Sequence, residues 1–344
     1  MSAALAAWFH FKRTPALTSK DTILLADFGN QTGEEIFDRM LKQGLAIQLQ
    51  QSPFLNLFPE AQMRHELKLM KRPPNERVTA ELAREICERQ NLKALIAGSI
   101  APLGSHYVIT LEAINGLSGE TLGHEQVEAE NKEQVLRALS QAATRLRERL
   151  GESLSSIQRF NRPLYEGTTA SPEAFKAYSQ AIELALSGRP REAIPFHKRA
   201  VELDPDFANA YSQMAIMYWV IGQPGVAAEY AKKAYELKGR AGEIEQFRIT
   251  QVYHGLFTGD LNKRIEVLRL QKRTYPREWG VPNDLALSYN LLGQSEQAIA
   301  EARECIRLNP NFAAPYMLLA WALLRLNRFA EVRDVIAQAL QRWL

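Results

Sequence analysis

The sequence predicts two architectures in one chain: an α/β domain with helices packed on a mixed sheet, then an all-α superhelix of stacked helix pairs. Two observations carry the prediction. Residues 20–157 alternate short apolar runs with amphipathic stretches in the order βαβααβββα, the pattern of a helix-covered sheet. Beyond residue 170 a segment end recurs, VELDPDFANAY at 201–211 and IRLNPNFAAPY at 306–316, and the markers Pro205, Gly239, Pro276 and Pro310 stand 34, 37 and 34 residues apart. A fixed period of that length means helical repeats.

Composition agrees. Of 344 residues, 46% are hydrophobic and 24% charged, enough for two folded domains and too apolar for a disordered chain. The net charge of +3 is spread over 42 basic and 39 acidic residues with no basic stripe, which argues against a nucleic-acid partner. The two cysteines, Cys87 and Cys305, lie in different halves on apolar helix faces. They read as small buried hydrophobes and not as a disulfide framework.

The elements follow in order. Ala3–Phe11 is apolar and is followed by Lys12 and Arg13. It is too short to span a bilayer, which needs about 20 residues. Its aromatics beside two cations fit the end of a membrane helix at an interface, so residues 1–19 have two readings: a frayed terminal segment or a truncated transmembrane remnant. Thr22–Phe28 suits a buried strand. Residues 34–50 put Phe37, Leu41, Leu45 and Leu49 on one helix face. Phe54–Phe58 is a second strand, and helices near 60–71 and 79–90 flank the breaker Arg72-Pro73-Pro74-Asn75. Ala94–Ile100, Tyr107–Asn115 and Thr121–Ala129 are strands joined by Gly-containing turns, hence antiparallel. Asn131 caps a closing helix carrying Val135, Leu139, Ala142, Leu146 and Leu150. Arg159–Pro172 contains two X-Pro steps, so residues 158–171 are read as a linker.

In the second half, Met214, Ala215, Tyr218, Gly222, Ala227 and Ala234 share spacing with Leu285, Ala286, Tyr289, Gly293, Ala298 and Cys305, and Tyr211 and Pro310 are further markers of their units. Tyr316, Leu319, Ala320, Leu323 and Ala339 continue the series, and Gly188, Ala193, Ala200 and Pro205 begin it. The stretch from about Ile244 to Tyr275 matches least well and carries three extra residues. Residues 172–344 thus resemble about five tetratricopeptide repeats. The resemblance implies a concave groove lined by the first helix of each pair, which binds a protein or peptide. Its geometry directs Tyr178 and Ile182, then Asn209, Ser212 and Trp219, then Asn283, Leu287 and Asn290, then Met317, Trp321 and Arg325 inward. The candidate partner-binding residues are therefore Tyr178, Asn209, Ser212, Trp219, Asn283, Asn290, Trp321 and Arg325. A clamp for a peptide carboxylate needs several cations there, and Arg325 alone is available. The last helix runs to Trp343-Leu344 without the polar outer face that terminal repeats require, so the array is expected to continue or to pack on a partner.

The string LLADFGNQTG, the run LKALIAGSIAPLGSHYVITLEAINGLSGE and the closing helix resemble the TolB amino-terminal-like domain. Followed by repeats, that domain resembles the sensor half of bacterial membrane-anchored serine/threonine kinases of the acidobacterial type. The resemblance implies a non-catalytic sensor region, membrane-anchored and extracytoplasmic; the alternatives are a free cytoplasmic scaffold or the accessory region of an enzyme.

No motif points to catalysis or a cofactor. Asp27-Phe28-Gly29 spells the metal-binding triplet of kinases, yet no Gly-rich loop, strand lysine or catalytic loop stands upstream. Gly29–Gly33 links strand to helix but continues into Glu34-Glu35, whose carboxylates repel a phosphate. His10, His65, His106, His124, His197 and His254 show no zinc spacing. The chain is read as a non-enzyme without metal or cofactor.

Overall fold

The computed structural model describes Leu17, Thr18 and residues 21–342. The apolar segment Ala3–Phe11 and the terminal Trp343-Leu344, on which the expectations of membrane attachment and end packing rest, lie outside them. No helix among the described residues is long and apolar enough to cross a membrane.

The chain forms two compact units. The first comprises the residues up to Leu57 together with Val78–Asn161. Its strands are β1 (Thr22–Leu25), β2 (Gly29–Asn30), β3 (Asn56–Leu57), β4 (Ala94–Leu103), β5 (His106–Asn115) and β6 (Thr121–Ala129). The sheet runs β3-β1-β4-β5-β6, with β2 also pairing β4. β1 is parallel to β3 and β4, while β4–β5 and β5–β6 are antiparallel. The mixed sheet is as expected, because the long crossovers carry helices and the short Gly turns make hairpins. The strand expected over Thr22–Phe28 stops at Leu25 and resumes as β2. The helix expected over 34–50 is also broken: a 3-10 turn (Glu35–Phe37) precedes an α-helix (Met40–Gln50). Between them Arg39 adopts φ 63°, and Asn30 Nδ2 holds the break by donating to Glu34 O and Asp38 Oδ1.

The closing helix, Val135–Leu150, lays Leu139, Ala142 and Leu146 inward. Asn131 Oδ1 accepts the Gln134 N–H at 3.1 Å, the expected cap. Arg147 is fully buried there. Its guanidinium makes a two-point pair with Glu152 at 2.8 and 2.9 Å and donates to Asn161 Oδ1 at 3.0 Å and Gln48 O at 3.3 Å. A buried charge so saturated is stable where a lone one would not be.

The second unit comprises Arg162–Leu344 and the segment Phe58–Arg77. Helices Leu154–Phe160 and Leu164–Gly167 occupy the stretch between closing helix and repeats. Five antiparallel helix pairs follow. They are Pro172–Leu186 with Pro190–Leu203, Ala208–Val220 with Pro224–Leu237, Glu243–Tyr253 with Leu261–Thr274, Gly280–Leu291 with Ser295–Leu308, and Ala314–Arg325 with Phe329–Gln341. Apolar clusters cross from pair to pair. Ala181, Ala193, Met214 and Tyr218 join pairs one and two; Ala215, Ala231 and Val252 join two and three. Leu268, Leu285, Tyr289, Leu319 and Leu323 join three to five. Ala215 and Ala286, the small residues expected at close helix approach, are completely buried.

One backbone device sets the period. Each first helix ends at a left-handed residue: Gly188, Gly222, Gly259, Gly293 and Asn327, with φ of 72°, 78°, 67°, 73° and 58°. In four of the five pairs the next N–H turns back onto the last helical turn: Arg189 to Leu184 O, Gln223 to Tyr218 O, Gln294 to Tyr289 O and Arg328 to Leu323 O, at 2.8–3.0 Å. This closes orphan carbonyls and reverses the chain. Pair three differs, widening into a π-turn at His254–Thr258 before Gly259. Its three extra residues lengthen this first helix: it runs from Glu243 through the π-turn to Thr258, whereas the first helices of pairs four and five start at Gly280 and Ala314 after connections of the same length.

A Cβ added at Gly222 would meet nothing within 4 Å, so Gly222→Ala tests the backbone alone. An L-residue in the left-handed region costs roughly 1–2 kcal/mol. Urea unfolding of the Gly222→Ala chain should show a loss of about that size; an unchanged midpoint would mean that the turn does not need φ > 0.

Candidate functional site

The first helices of the five pairs carry every residue singled out as a candidate, but at different depths. Tyr178 is buried with its ring among Phe175, His197 and Phe207, at centroid distances of 6.0, 5.6 and 4.9 Å. Asn209 is buried beside it; its Nδ2 donates to Tyr178 Oη at 2.9 Å and to Glu245 Oε1 at 3.0 Å, while its Oδ1 has no partner. Ser212 is buried. Asn290 is fully buried, with Nδ2 donating to Leu318 O at 2.9 Å. Asn283 is half-buried and its Oδ1 is enclosed without a partner. Trp219 and Trp321 are 46% and 38% exposed. Arg325 is exposed, and its Nη1 donates to Asn290 O at 2.9 Å.

The structure brings Tyr178 and Asn209 together, and Asn290 and Arg325 together. Between these two groups lies a polar set that the sequence reading did not single out. The Glu245 carboxylate takes the Gly242 N–H at 3.3 Å as well as Asn209. Arg248 pairs with Glu278 at 3.2 Å. Gln251 donates to Asp284 Oδ2 at 3.3 Å and accepts from Arg264 Nε at 2.9 Å, and Arg264 lies 3.6 Å from Asp284. Polar contacts therefore run from pair one to pair five: Tyr178–Asn209–Glu245, then Arg248–Glu278 and Gln251–Asp284, then Asn290–Leu318 and Arg325–Asn290.

A signal for this set was present. Counted back from the left-handed residue, positions occupied by Tyr211, Met214 and Tyr218 in pair two hold Arg248, Gln251 and Gly255 in pair three. A Cβ on Gly255 would come within 3.1 Å of Arg264 Cδ. The missing aromatic ring thus leaves room for the guanidinium that reaches Gln251 and Asp284.

Burial shapes the titration of two groups here. It pushes the Glu245 carboxyl up to about 7, against the Gly242 N–H, Arg248 and Asn209, which favour the anion. It pushes His197 down to about 3, and neither ring nitrogen has a hydrogen-bond partner. Burial also raises Asp284, opposed chiefly by Arg264.

A second feature is an apolar row at the ends of the first helices. Two residues before each left-handed position stand Leu186, Val220, Phe257, Leu291 and then Arg325, all exposed. Trp219, Met317, Trp321 and Leu324 are exposed on the same helices. The apolar side chains of the row are exposed at equivalent positions of successive pairs, and so differ from scattered ones.

Residues 283–312, from the first helix of pair four into the turn after its second, match the model of the tetratricopeptide repeat family. No curated protein matches the chain. Among solved structures it is similar to a thermophilic TPR protein of Thermus thermophilus, at 21% identity over 49% of this chain and 91% of that one, TM-score 0.38. It is similar to pilF of Pseudomonas aeruginosa at 20% identity, over 49% and 76%, TM-score 0.37. It is also similar to the LpoB C-terminal domain of Salmonella enterica at 12%, over 37% and 94%, TM-score 0.32.

The two titrating groups act on stability with opposite sign. Glu245 moves from 4.5 to about 7 on folding. The folded chain therefore holds a proton that the unfolded chain has lost, and this contribution falls as pH rises through 4.5–7. His197 moves from 6.5 to about 3. The unfolded chain gains that proton first, so its contribution falls as pH drops below 6.5. Relative to wild type, Glu245→Gln should gain stability as pH rises from 4.5 to 7. His197→Phe should gain as pH falls from 6.5 to 4.5. Urea unfolding across that range checks both; variants parallel to wild type would refute the assigned titrations.

Proposed function

We propose that this chain is a non-catalytic interaction module that binds a protein or peptide along the exposed ends of its first repeat helices. The row Leu186, Val220, Phe257, Leu291 is the observation that carries the reading. Its members recur with the repeat, so a partner meets an equivalent apolar contact on each of pairs one to four. Trp219 and Trp321 supply large aromatic anchors, and Arg325 supplies a charge at the far end. Aromatic and Arg side chains are the usual energetic centres of interfaces. Tyr178, Asn209, Ser212 and Asn290 serve this surface from below, by fixing the spacing of the helices that present it; Asn283, half open, flanks it.

The finer reading is that this module forms part of a sensor region. It is supported by the resemblance of the first unit's strand and hairpin segments to the TolB amino-terminal-like domain. On that reading the repeats receive a partner and the module passes on its presence; the chain itself performs no chemistry.

The strongest peptide selected against the full chain from a random phage-displayed library supplies the probe. Trp219→Ala with Trp321→Ala should weaken its binding at least ~30-fold, since losing an anchor commonly costs about 2 kcal/mol or more and 1.4 kcal/mol is tenfold. Circular dichroism and the urea midpoint should be unchanged, as both rings are well exposed. A folded double variant that binds as wild type does would move the binding surface off this row.

A further inference from the structure

The first unit's sheet gives up the chain after Leu57 and takes it back at Val78, where Val78 N–H donates to Asp27 Oδ2 and Asp27 N–H to Val78 O. The intervening Phe58–Arg77 belongs to the repeat unit. Its central helix, Glu60–Leu69, has ten residues. Every residue from Phe58 to Leu67 is at least partly buried, whereas Lys71–Asn75 is exposed.

Two side chains of this helix fasten to the array at distant points. Gln62 Nε2 donates to Leu308 O at 3.3 Å, at the end of the second helix of pair four. Arg64 Nη1 donates to Leu186 O at 3.2 Å and lies 3.4 Å from Ser187 Oγ, at the end of the first helix of pair one. Both acceptor carbonyls lie at helix C-termini, where the last turn leaves carbonyls unpaired and negative charge accumulates. A guanidinium suits such a place. At about 100° per residue, positions 62 and 64 project roughly 200° apart around the helix. The helix therefore reaches to two sides at once. It bridges pair one and pair four.

We propose that Phe58–Arg77 is a releasable strap that fixes the curvature of the repeat array. Each repeat contacts only its neighbours, so small rotations accumulate along a solenoid; a tie from pair one to pair four removes that freedom. The side-chain ties from Gln62 and Arg64 to the array are hydrogen bonds of 3.2–3.4 Å, near the long end of the normal range, and on this proposal they open before the helices they join unfold. Because the strap is anchored in the sheet at both ends, reclosing is intramolecular and favoured by a high effective concentration. Leu186 carries both a strap contact on its carbonyl and the first exposed apolar side chain of the row. Release of the strap would thus change the spacing of that row, and a ligand of the repeats that prefers the opened spacing would favour release.

The test measures the pair-one to pair-four distance in the full chain. Spin labels on Arg191→Cys and Arg307→Cys report it by double electron–electron resonance, with Cys87 and Cys305 both buried. Adding Gln62→Ala with Arg64→Ala should shift and broaden the distance distribution by several ångströms; Arg64→Lys, which keeps a cationic donor, should shift it less. An identical distribution in the Ala pair overturns the proposal. Hydrogen exchange of the unsubstituted chain in rising urea gives an independent check. Amides of 60–69 should open in a step below that of helices 172–186 and 295–308, and opening only with global unfolding would equally overturn it.

Discussion

Each helix pair of the second unit has an apolar face that it cannot cover by itself, and the structure of the repeat half follows from that deficit. Met214 and Tyr218 bury against Ala181 and Ala193 of the preceding pair, and Leu285 and Tyr289 against Leu319 and Leu323 of the following one. Burial of apolar area at about 25 cal/mol per Å² supplies the drive. It has no direction of its own, however. Direction comes from the left-handed residue that ends each first helix, which turns the chain back in all five pairs.

Polar groups then decide which stacking register is acceptable. The contacts from Tyr178 through Asn209 and Glu245 to Asp284 and Asn290 lie between first helices of successive pairs. A slip of one helix past its neighbour by one turn would leave Asn209 Nδ2, Asn290 Nδ2 and the Gln251 amide without acceptors. Each buried group so stranded costs about 1–3 kcal/mol. An apolar interface would tolerate the same slip far more cheaply. The buried amides therefore contribute less to net stability than to the choice of one arrangement, a use of buried polarity known from coiled coils.

The period, the helix pairs and the mixed sheet were legible in the sequence because each rests on local rules: apolar spacing, Gly and Pro punctuation, and Asn131 as a cap. The break at Arg39 was not, because it depends on Asn30 reaching across to Glu34 and Asp38. At the candidate site the sequence put each residue on a first helix but did not give its depth. Tyr178, Asn209 and Trp219 occupy comparable first-helix faces, yet two are buried and one is open. What separates them is the neighbouring pair: Glu245 stands over Asn209, and Phe207 and His197 enclose Tyr178. The grouping of Phe58–Arg77 with the repeats likewise has no local signature, since Gln62 and Arg64 find their acceptors at Leu308 and Leu186, far along the chain.

Pair three draws these strands together. It is the poorest match to the repeat pattern, with Arg248, Gln251 and Gly255 where pair two has Tyr211, Met214 and Tyr218. Read as packing, these are losses. Beside Asp284, Glu278 and Arg264 they are one exchange: hydrogen bonds and ion pairs join the first helices of pairs three and four, while Ile265 and Leu268 keep an apolar contact with pair four. Apolar joints resist sliding weakly and separation strongly, whereas a joint of directed bonds resists both until it breaks. Pair three is also where the first helix widens into a π-turn at His254–Thr258, a form that recurs where a helix serves function. That turn holds Phe257 exposed, two residues before Gly259, in register with Leu186, Val220 and Leu291. A repeat that gives up consensus packing at its joint while keeping its place in the exposed row has retained what a partner would meet and altered only what the array holds inside.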